Sequence, residues 1–465
     1  MKPSVFLSTV VCGLLALPAV AAAQDQIWLK DRRYTEGAGY RVGDFELHPG
    51  AAAEFGYDSN YLRRAPGEAL SSLRLRLTPS FSVSTLGRQR QPDIGGTRGS
   101  GPAVEFRGGA SLTYNEFFPL TDAGNAPTIR AQRNVGAAVD LGFVFLPGRP
   151  WSGALNLSYM RALNPTDQGI VNDSQGASQL AFNRNLPRGN AELIWTPGAG
   201  LFEWRLGYSF SATLFEATEF SQLTNLNNAL TTRGRWRFLP RTAFVYDASF
   251  GFITYTNPAT PSQGGKLSSH PLRARLGVNG LITPSFALLA MAGWGASFYT
   301  NEANVPNEDF DSVIGQLELK WFLTPNLSTD PNATSTTLSS IAVGFTRDFH
   351  DSYIGNYYER DRGYLAFSFF YGGKFLISLD GGAGPVIYPK MNIGGTDVPT
   401  GFTDIRIDAS LFAEYRFMNQ LGVNTSVRYN QNINKQPVPV PGVGDLKDSL
   451  SYQQIEAYLG VRWLM

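Results

Sequence analysis

After Cys12 the 465-residue chain contains no cysteine, and it has only three histidines, His48, His270 and His350. That excludes a disulfide framework, a thiolate nucleophile and a Cys/His metal centre. No serine or carboxylate stands beside a histidine in a catalytic arrangement, and His48 near Glu46 and His350 beside Asp351 read as solvated pairs. The expectation is a protein that is not an enzyme and carries neither cofactor nor metal. Phosphate-cradling glycine loops are missing too, since Gly95-Gly96 reads as flexibility. Excess charge is also lacking. Lys+Arg number 39 and Asp+Glu 38, so nothing in the balance points to nucleic acid or to polybasic membrane adhesion. Beyond the first two dozen residues no apolar run reaches the length of a transmembrane helix. The acidic stretch Glu302, Asn304, Glu308, Asp309 and Asp311 has not the spacing of an EF-hand; calcium or cations bridging lipopolysaccharide are its candidate ligands.

What is present is a leader, many aromatics and a strict alternation. Lys2, an apolar stretch from Val5 to Ala19 and Ala21-Ala22-Ala23 before Gln24 form a signal peptide over 1–23. A short periplasmic lead is expected over 24–43 and a single all-β domain over 44–465. Aromatics make up 13% of the chain and glycines number 49, a mixture that suits strands with one greasy and one wet face. In Phe244, Tyr246, Ala248, Phe250 and Phe252 every second residue is apolar, and Ile405, Ile407, Ala409, Leu411, Ala413, Tyr415 and Phe417 repeat the pattern. About eighteen such segments can be placed between 45 and 465. They are joined alternately by tight turns, such as Leu239 to Arg241 and Thr283 to Ser285, and by long polar segments: 163–187, 216–229, 257–268, 300–310, 349–360, 383–401 and 432–450. The basic link 87–102 is a long exception on the turn side. Such a chain predicts one transmembrane antiparallel up-and-down β-barrel of about 18 strands, with short periplasmic turns, long outer loops and both termini periplasmic.

Alternation also assigns the faces. The lumen-facing set includes Arg74, Arg76, Arg107, Asp404, Arg406, Asp408, Glu414 and Arg416. It also includes a basic patch of Arg233, Arg235, Arg237, Arg273 and Arg275, with only the strand of Tyr246 and Asp247 between its two halves. Arginine's planar fork suits carboxylates and sugar hydroxyls, so the patch is a candidate contact for an anion or a polymer. The competing expectation is that Arg and Asp or Glu on adjacent strands satisfy one another and stiffen the wall.

Two short stretches carry resemblances. Gly460, Trp463 and the terminal Met465, with Ala457, Leu459, Val461, Trp463 and Met465 on one face, resemble the C-terminal assembly signal of bacterial outer-membrane barrels. Two positions depart from it, Met465 for an aromatic and Tyr458 at the polar opening position. At the first strand, Val42-Gly43-Asp44-Phe45-Glu46-Leu47-His48-Pro49 followed by Phe55-Gly56-Tyr57-Asp58-Ser59-Asn60 resembles the opening of outer-membrane barrels of exopolysaccharide export systems, akin to the β-barrel porin-2 group. The resemblance implies a porin-like conduit for a secreted exopolysaccharide or capsular polysaccharide. Its implied partners are the polymer and periplasmic polysaccharide export proteins, besides outer-membrane lipid, lipopolysaccharide and the barrel assembly machinery. The alternatives are a diffusion porin for small hydrophilic solutes, and an adhesion or envelope-anchoring barrel. The expected location is the outer membrane of a Gram-negative bacterium.

Overall fold

A computed structural model describes residues 39–85, 103–162, 183–197, 200–256, 266–300, 309–323, 339–352, 355–372, 374–393, 396–398, 401–418, 420–435, 439–440, 444–445 and 450–465. The leader, most of the lead, the 87–102 link and Glu302, Asn304 and Glu308 lie outside the described residues.

Eighteen long strands form the wall: β1 (Phe45–Asp58), β2 (Ser72–Thr85), β3 (Val104–Pro119), β4 (Asn134–Phe145), β5 (Trp151–Ala162) and β6 (Arg184–Trp195). They continue as β7 (Phe202–Phe215), β8 (Asn225–Leu239), β9 (Thr242–Tyr255), β10 (Ser269–Thr283), β11 (Phe286–Tyr299) and β12 (Phe310–Phe322). The last six are β13 (Ser340–Asp351), β14 (Tyr357–Tyr371), β15 (Phe375–Tyr388), β16 (Phe402–Arg416), β17 (Leu421–Asn434) and β18 (Tyr452–Leu464). Each is antiparallel to its sequence neighbours, and β18 pairs with β1 from Gly50↔Leu464 to Asp58↔Glu456. Closure matters because a spanning sheet in lipid has no water to satisfy a free edge. No described helix is long and apolar enough to cross a membrane, so the strands are the spans. Even the shortest has 12 residues, above the roughly 9–11 that a tilted crossing strand needs.

The alternation of the sequence becomes the two faces of this wall. Leu276, Leu459, Val343, Leu317 and Val313 are each more than half exposed on the outside, which only a lipid solvent accommodates over a whole circumference. Aromatic contacts cluster at the turn end of the outer face. Phe143 and Phe145 stack at 6.3 Å, Trp151 and Trp195 at 5.6 Å, Phe238 and Phe244 at 4.3 Å, and Phe286 and Trp321 at 6.1 Å. At the loop end Phe55 meets Phe118, and Phe252 meets His270. These are the two interfacial girdles of a membrane barrel. The chain thus has an outer-membrane, porin-like barrel fold.

The turn end is built by local chemistry. Pro240-Arg241 and Pro284-Ser285 link their strands, the second closed by Thr283 Oγ1 accepting from the amides of Ser285 (3.3 Å) and Phe286 (3.1 Å). Gly372 takes φ +59° in the β14–β15 turn, a conformation that favours glycine. At the loop end the strands run further than periodicity predicts. The expected loop 349–360 is mostly strand, because β13 and β14 reach Asp351 and Tyr357; Tyr388 likewise ends β15 inside the expected loop 383–401. Charged residues there satisfy the ladder through their backbone, whatever their side chains. A second long turn-side connection follows β12, between Phe322 and Ser340. Of the expected lead, Tyr40–Val42 is a short strand folded back on Phe45–Leu47. The loop after β1 folds over the mouth, where Tyr61, Leu62 and Leu70 bury against Phe117 and Ile129, the last on the short helix Ala126–Arg130.

Candidate functional site: a charged lumen wall

Strand register places every sequence-assigned lumen charge on the inner face, and the inner face divides into two sectors. On β16–β18 and β1–β3 many of the inner side chains are sealed: Glu54 is 3% exposed, Arg74 2%, Glu414 2% and Arg462 2%. Arg74 pairs with Asp58 at 3.1 Å and Arg76 with Glu54 at 3.4 Å. Gln454 donates to Asp58 (3.1 Å) and accepts from Arg63 (3.0 Å). Glu414 holds Arg416 at 2.7 Å and also Arg462, while Asp404 accepts from Asn432 at 2.8 Å. Arg406 is buried in the same sector. Here the structural role of the charges prevails, since removing one partner of a buried pair strands the other. Arg107 faces the lumen on β3, opposite Ser84.

The wall from β4 to β9 is different. Asp140, Asn156 and Ser158 are exposed to the lumen, and a ladder of charges follows. Glu192 on β6 holds Arg205 at 3.2 Å and Arg233 at 2.6 Å; Glu203 on β7 holds Arg205 at 2.7 Å and Arg235 at 2.9 Å. Asp247 on β9 pairs with Arg275 at 3.0 Å. Arg273 reaches Asp348 on β13 at 3.0 Å and lies over the Phe349 ring at 3.9 Å. Arg237, exposed at the turn end of β8, is in none of the described ion pairs. Four of the five patch arginines are therefore ion-paired, Arg233 and Arg235 sharing the carboxylates of Glu192 and Glu203 with Arg205. Sequence reasoning missed Glu192, which sits two strands from Arg233; the signal was its phase within Arg188, Asn190, Glu192. Arg360 and Arg362 on β14 and Asp380 on β15 were missed as well, and the structure joins Arg362 to Asp380 and both arginines to Asp408.

Paired is not the same as hidden. The Arg233 side chain is 38% exposed against 9% for Glu192, and Arg235 is 39% exposed against 20% for Glu203. The guanidinium groups stand in front of their carboxylates, so a lumenal solute meets donors first.

Glycines make these two-strand reaches possible. Gly207 lies between Glu192 and Thr231 in register, and a Cβ there would come within 2.6 Å of Thr231 Oγ1 and 3.3 Å of Glu192 Cγ. The same device recurs. Arg362 crosses Gly382 to reach Asp408 (Nε 3.1 Å), and Tyr364 crosses Gly344 to donate to Glu318 (2.7 Å). Tyr458 lies on Gly56 beneath Arg76, 3.4 Å from ring centre to guanidinium. Gly207→Val is expected to break the Glu192–Arg233 bridge and to lower stability by about 1–3 kcal/mol through overpacking. Gly189→Val, on the lipid face of β6 with only an ordinary 3.4 Å contact to Leu157, should cost far less. The check is urea unfolding of both variants in lipid; equal midpoint shifts would remove the crossing role from Gly207.

Of the C-terminal residues, Gly460 lies inside between Glu54 and Asn424, where a Cβ would meet them at 2.7 and 3.0 Å. Trp463 faces lipid, 39% exposed. The Met465 amide donates to the Pro49 carbonyl at 3.1 Å, and His48 Nδ1 lies 2.9 Å from Met465 O. Asp309 and Asp311 of the acidic stretch accept from the Tyr299 amide (2.9 Å) and the Trp294 indole (2.5 Å).

Closed wall, lipid-facing exterior and charged inner face define the class as a β-barrel of outer-membrane type. No family model and no curated protein matches the chain. Among solved structures it is similar to the FrpB iron transporter of Neisseria meningitidis, in its F5-1 apoprotein form, with 8% identity, a TM-score of 0.46 and 90% of this chain and 81% of that one covered. A BenF-like porin from Pseudomonas fluorescens Pf-5 gives 8% identity and a TM-score of 0.44, over 91% of this chain and 100% of that one. A bacterial polysaccharide outer membrane secretin gives 10% identity and a TM-score of 0.31, over 91% of this chain and 99% of that one. Likeness at this level bears on neither substrate nor mechanism.

Proposed function

We propose that the protein is an outer-membrane conduit of a Gram-negative bacterium, through which a secreted hydroxyl- or carboxylate-bearing polysaccharide passes along the β4–β9 wall. The observation that carries this reading is the forward position of the Arg233 and Arg235 guanidiniums relative to Glu192 and Glu203. Arginine already held on one edge is preorganised, keeps further N–H donors for a passing oxygen, and binds each one weakly enough to release it. Loop-ward of the ladder the same wall offers Asn156, Ser158, Ser209 and Ser211 on the inner face, neutral groups suited to sugar hydroxyls. The first-strand resemblance supports polysaccharide as the cargo and periplasmic export proteins as partners.

Replacing Arg233, Arg235, Arg237, Arg273 and Arg275 with glutamine is expected to lower surface polysaccharide severalfold while the barrel still reaches the outer membrane. The comparison is made with a strain lacking the protein. Unchanged polysaccharide in that strain, with anion-selective conductance that vanishes in the glutamine variant, would favour the diffusion porin. Unchanged polysaccharide with no conductance at all would favour an anchoring barrel.

A further inference from the structure

The β12–β13 seam stops short. Its ladder runs from Phe322↔Ser340 to Gly315↔Arg347, although β12 begins at Phe310 and β13 continues to Asp351. The β13–β14 ladder nevertheless stays intact as far as Asp351↔Tyr357. The loop-side part of β13 therefore parts from β12 and turns inward, while β14 stays laddered to β15 as far as Glu359↔Ile387. Phe349 stacks on Phe310 at 4.2 Å and buries with Ile314, both on the lumen face of β12. Tyr357 meets Phe310 at 5.1 Å and Tyr299 at 6.2 Å.

Polar contacts from β9, β10, β11 and the residues just before β10 clasp it. Arg273 donates to Asp348 (3.0 Å) and to the Phe349 carbonyl (2.6 Å), and the Tyr255 hydroxyl donates to Asp351. Tyr299 donates to the Asn356 carbonyl at 3.2 Å, and Lys266 donates to the carbonyls of Ser352 and Gly355. Burial pulls the Lys266 ammonium down to about 8, so this clasp is made by a group that has given up its water.

Two observations point to a second seat for the hairpin. The inward turn leaves β12 from Phe310 to Ile314 without a ladder partner on that side among the described residues, a costly edge at the lipid boundary. Arg347 covers part of it, donating to the Val313 carbonyl (3.1 Å) and to Ser312 Oγ (3.2 Å). Secondly, the register can continue where the ladder stops: beyond Ile341, Val343 and Phe345 the same phase runs on through Arg347, Phe349 and Asp351, with Asp348 and His350 on the other. Extending the existing register sets Phe349 opposite Val313, which is 52% exposed on the lipid face.

We propose that the β13–β14 hairpin is a gate with two seats: turned inward and clasped to β9–β11, where it narrows the loop-side mouth, and zipped into the wall against β12, where it widens it. Its role as a gate rests on the conduit reading above; its motion does not.

The test uses the full chain with Cys12→Ser, adding Val313→Cys and Phe349→Cys, residues that become direct neighbours only in the zipped seat. Leu317→Cys with Phe345→Cys, paired in the existing ladder, is the control. In lipid under mild oxidant both pairs are expected to cross-link, the test pair more slowly. The test cross-link should raise single-channel conductance, and reductant should reverse it. Lys266→Met should speed cross-linking on the order of tenfold, the effect of losing one or two net hydrogen bonds from the inward seat. A control that cross-links beside a test pair that does not would overturn the two-seat proposal. Cross-linking that leaves the conductance of a working channel unchanged would overturn the gate. A protein that cross-links and never conducts would overturn the conduit reading while leaving the motion established.

Discussion

Deleting Trp463 to Met465 is expected to leave a periplasmic, protease-sensitive chain with little protein in the outer membrane. Those three residues sit in two ladders at once. Trp463 pairs with Ala51 of β1 and with Leu421 of β17, the Leu464 amide donates to the Gln420 carbonyl (2.8 Å), and the Met465 amide donates to Pro49. Without them the turn end of the closing seam opens, and the backbone groups of both neighbours face a medium that cannot hydrate them. The loss should exceed that of any single side chain, because barrel closure is cooperative. Fractionation and protease accessibility in cells measure it. Normal outer-membrane levels of the truncated chain would show that the seam closes without them and that assembly reads another segment.

Leu411→Arg should cost about 2–4 kcal/mol near the bilayer midplane, whereas the adjacent Ser410→Arg should cost little. Leu411 stands between Leu379 and Val427 on the lipid face of β16; Ser410 stands between Asp380 and Arg428 on the lumen face. The contrast comes from the solvent on either side of one strand. An arginine at 411 must snorkel or bring water into hydrocarbon, whereas one at 410 finds water and the Asp380 carboxylate. Reversible unfolding into lipid vesicles gives both numbers. Comparable losses at the two positions would mean that the faces of β16 are misassigned.

The architecture was legible in the chain because a membrane wall imposes period-2 patterning on both faces. The run from Ile405 to Phe417 names its own lipid side. Strand ends were less legible. At Phe349 to Asp351 and at Tyr357 to Arg360 the polar content suggests a loop, yet the backbone continues its ladder. The candidate site was legible in part. Arg233, Arg235 and Arg237 could be placed on the lumen face by alternation, but the ion pairing of the first two could not be foreseen, because Glu192 reaches Arg233 across an intervening strand at Gly207. Which residue stands opposite which depends on register, and register is not written locally. The glycines entered the sequence reading only as part of a composition that suits strands; their use as crossings is visible only when the neighbouring side chains are in place.

The sequence by itself determined the number of crossings, the direction each face looks and the chemical character of the two solvents, since periodicity and composition are local consequences of lying between lipid and water. The tertiary structure decided what local patterning cannot encode. It sealed much of the β16–β18 and β1–β3 sector with buried ion pairs while leaving the β4–β9 wall more exposed, set guanidiniums in front of their carboxylates, and turned one hairpin inward where its ladder with β12 breaks off. Those outcomes depend on contacts between residues far apart in the chain, where closure brings the first strand to the last and a charge on one strand can be answered two strands away.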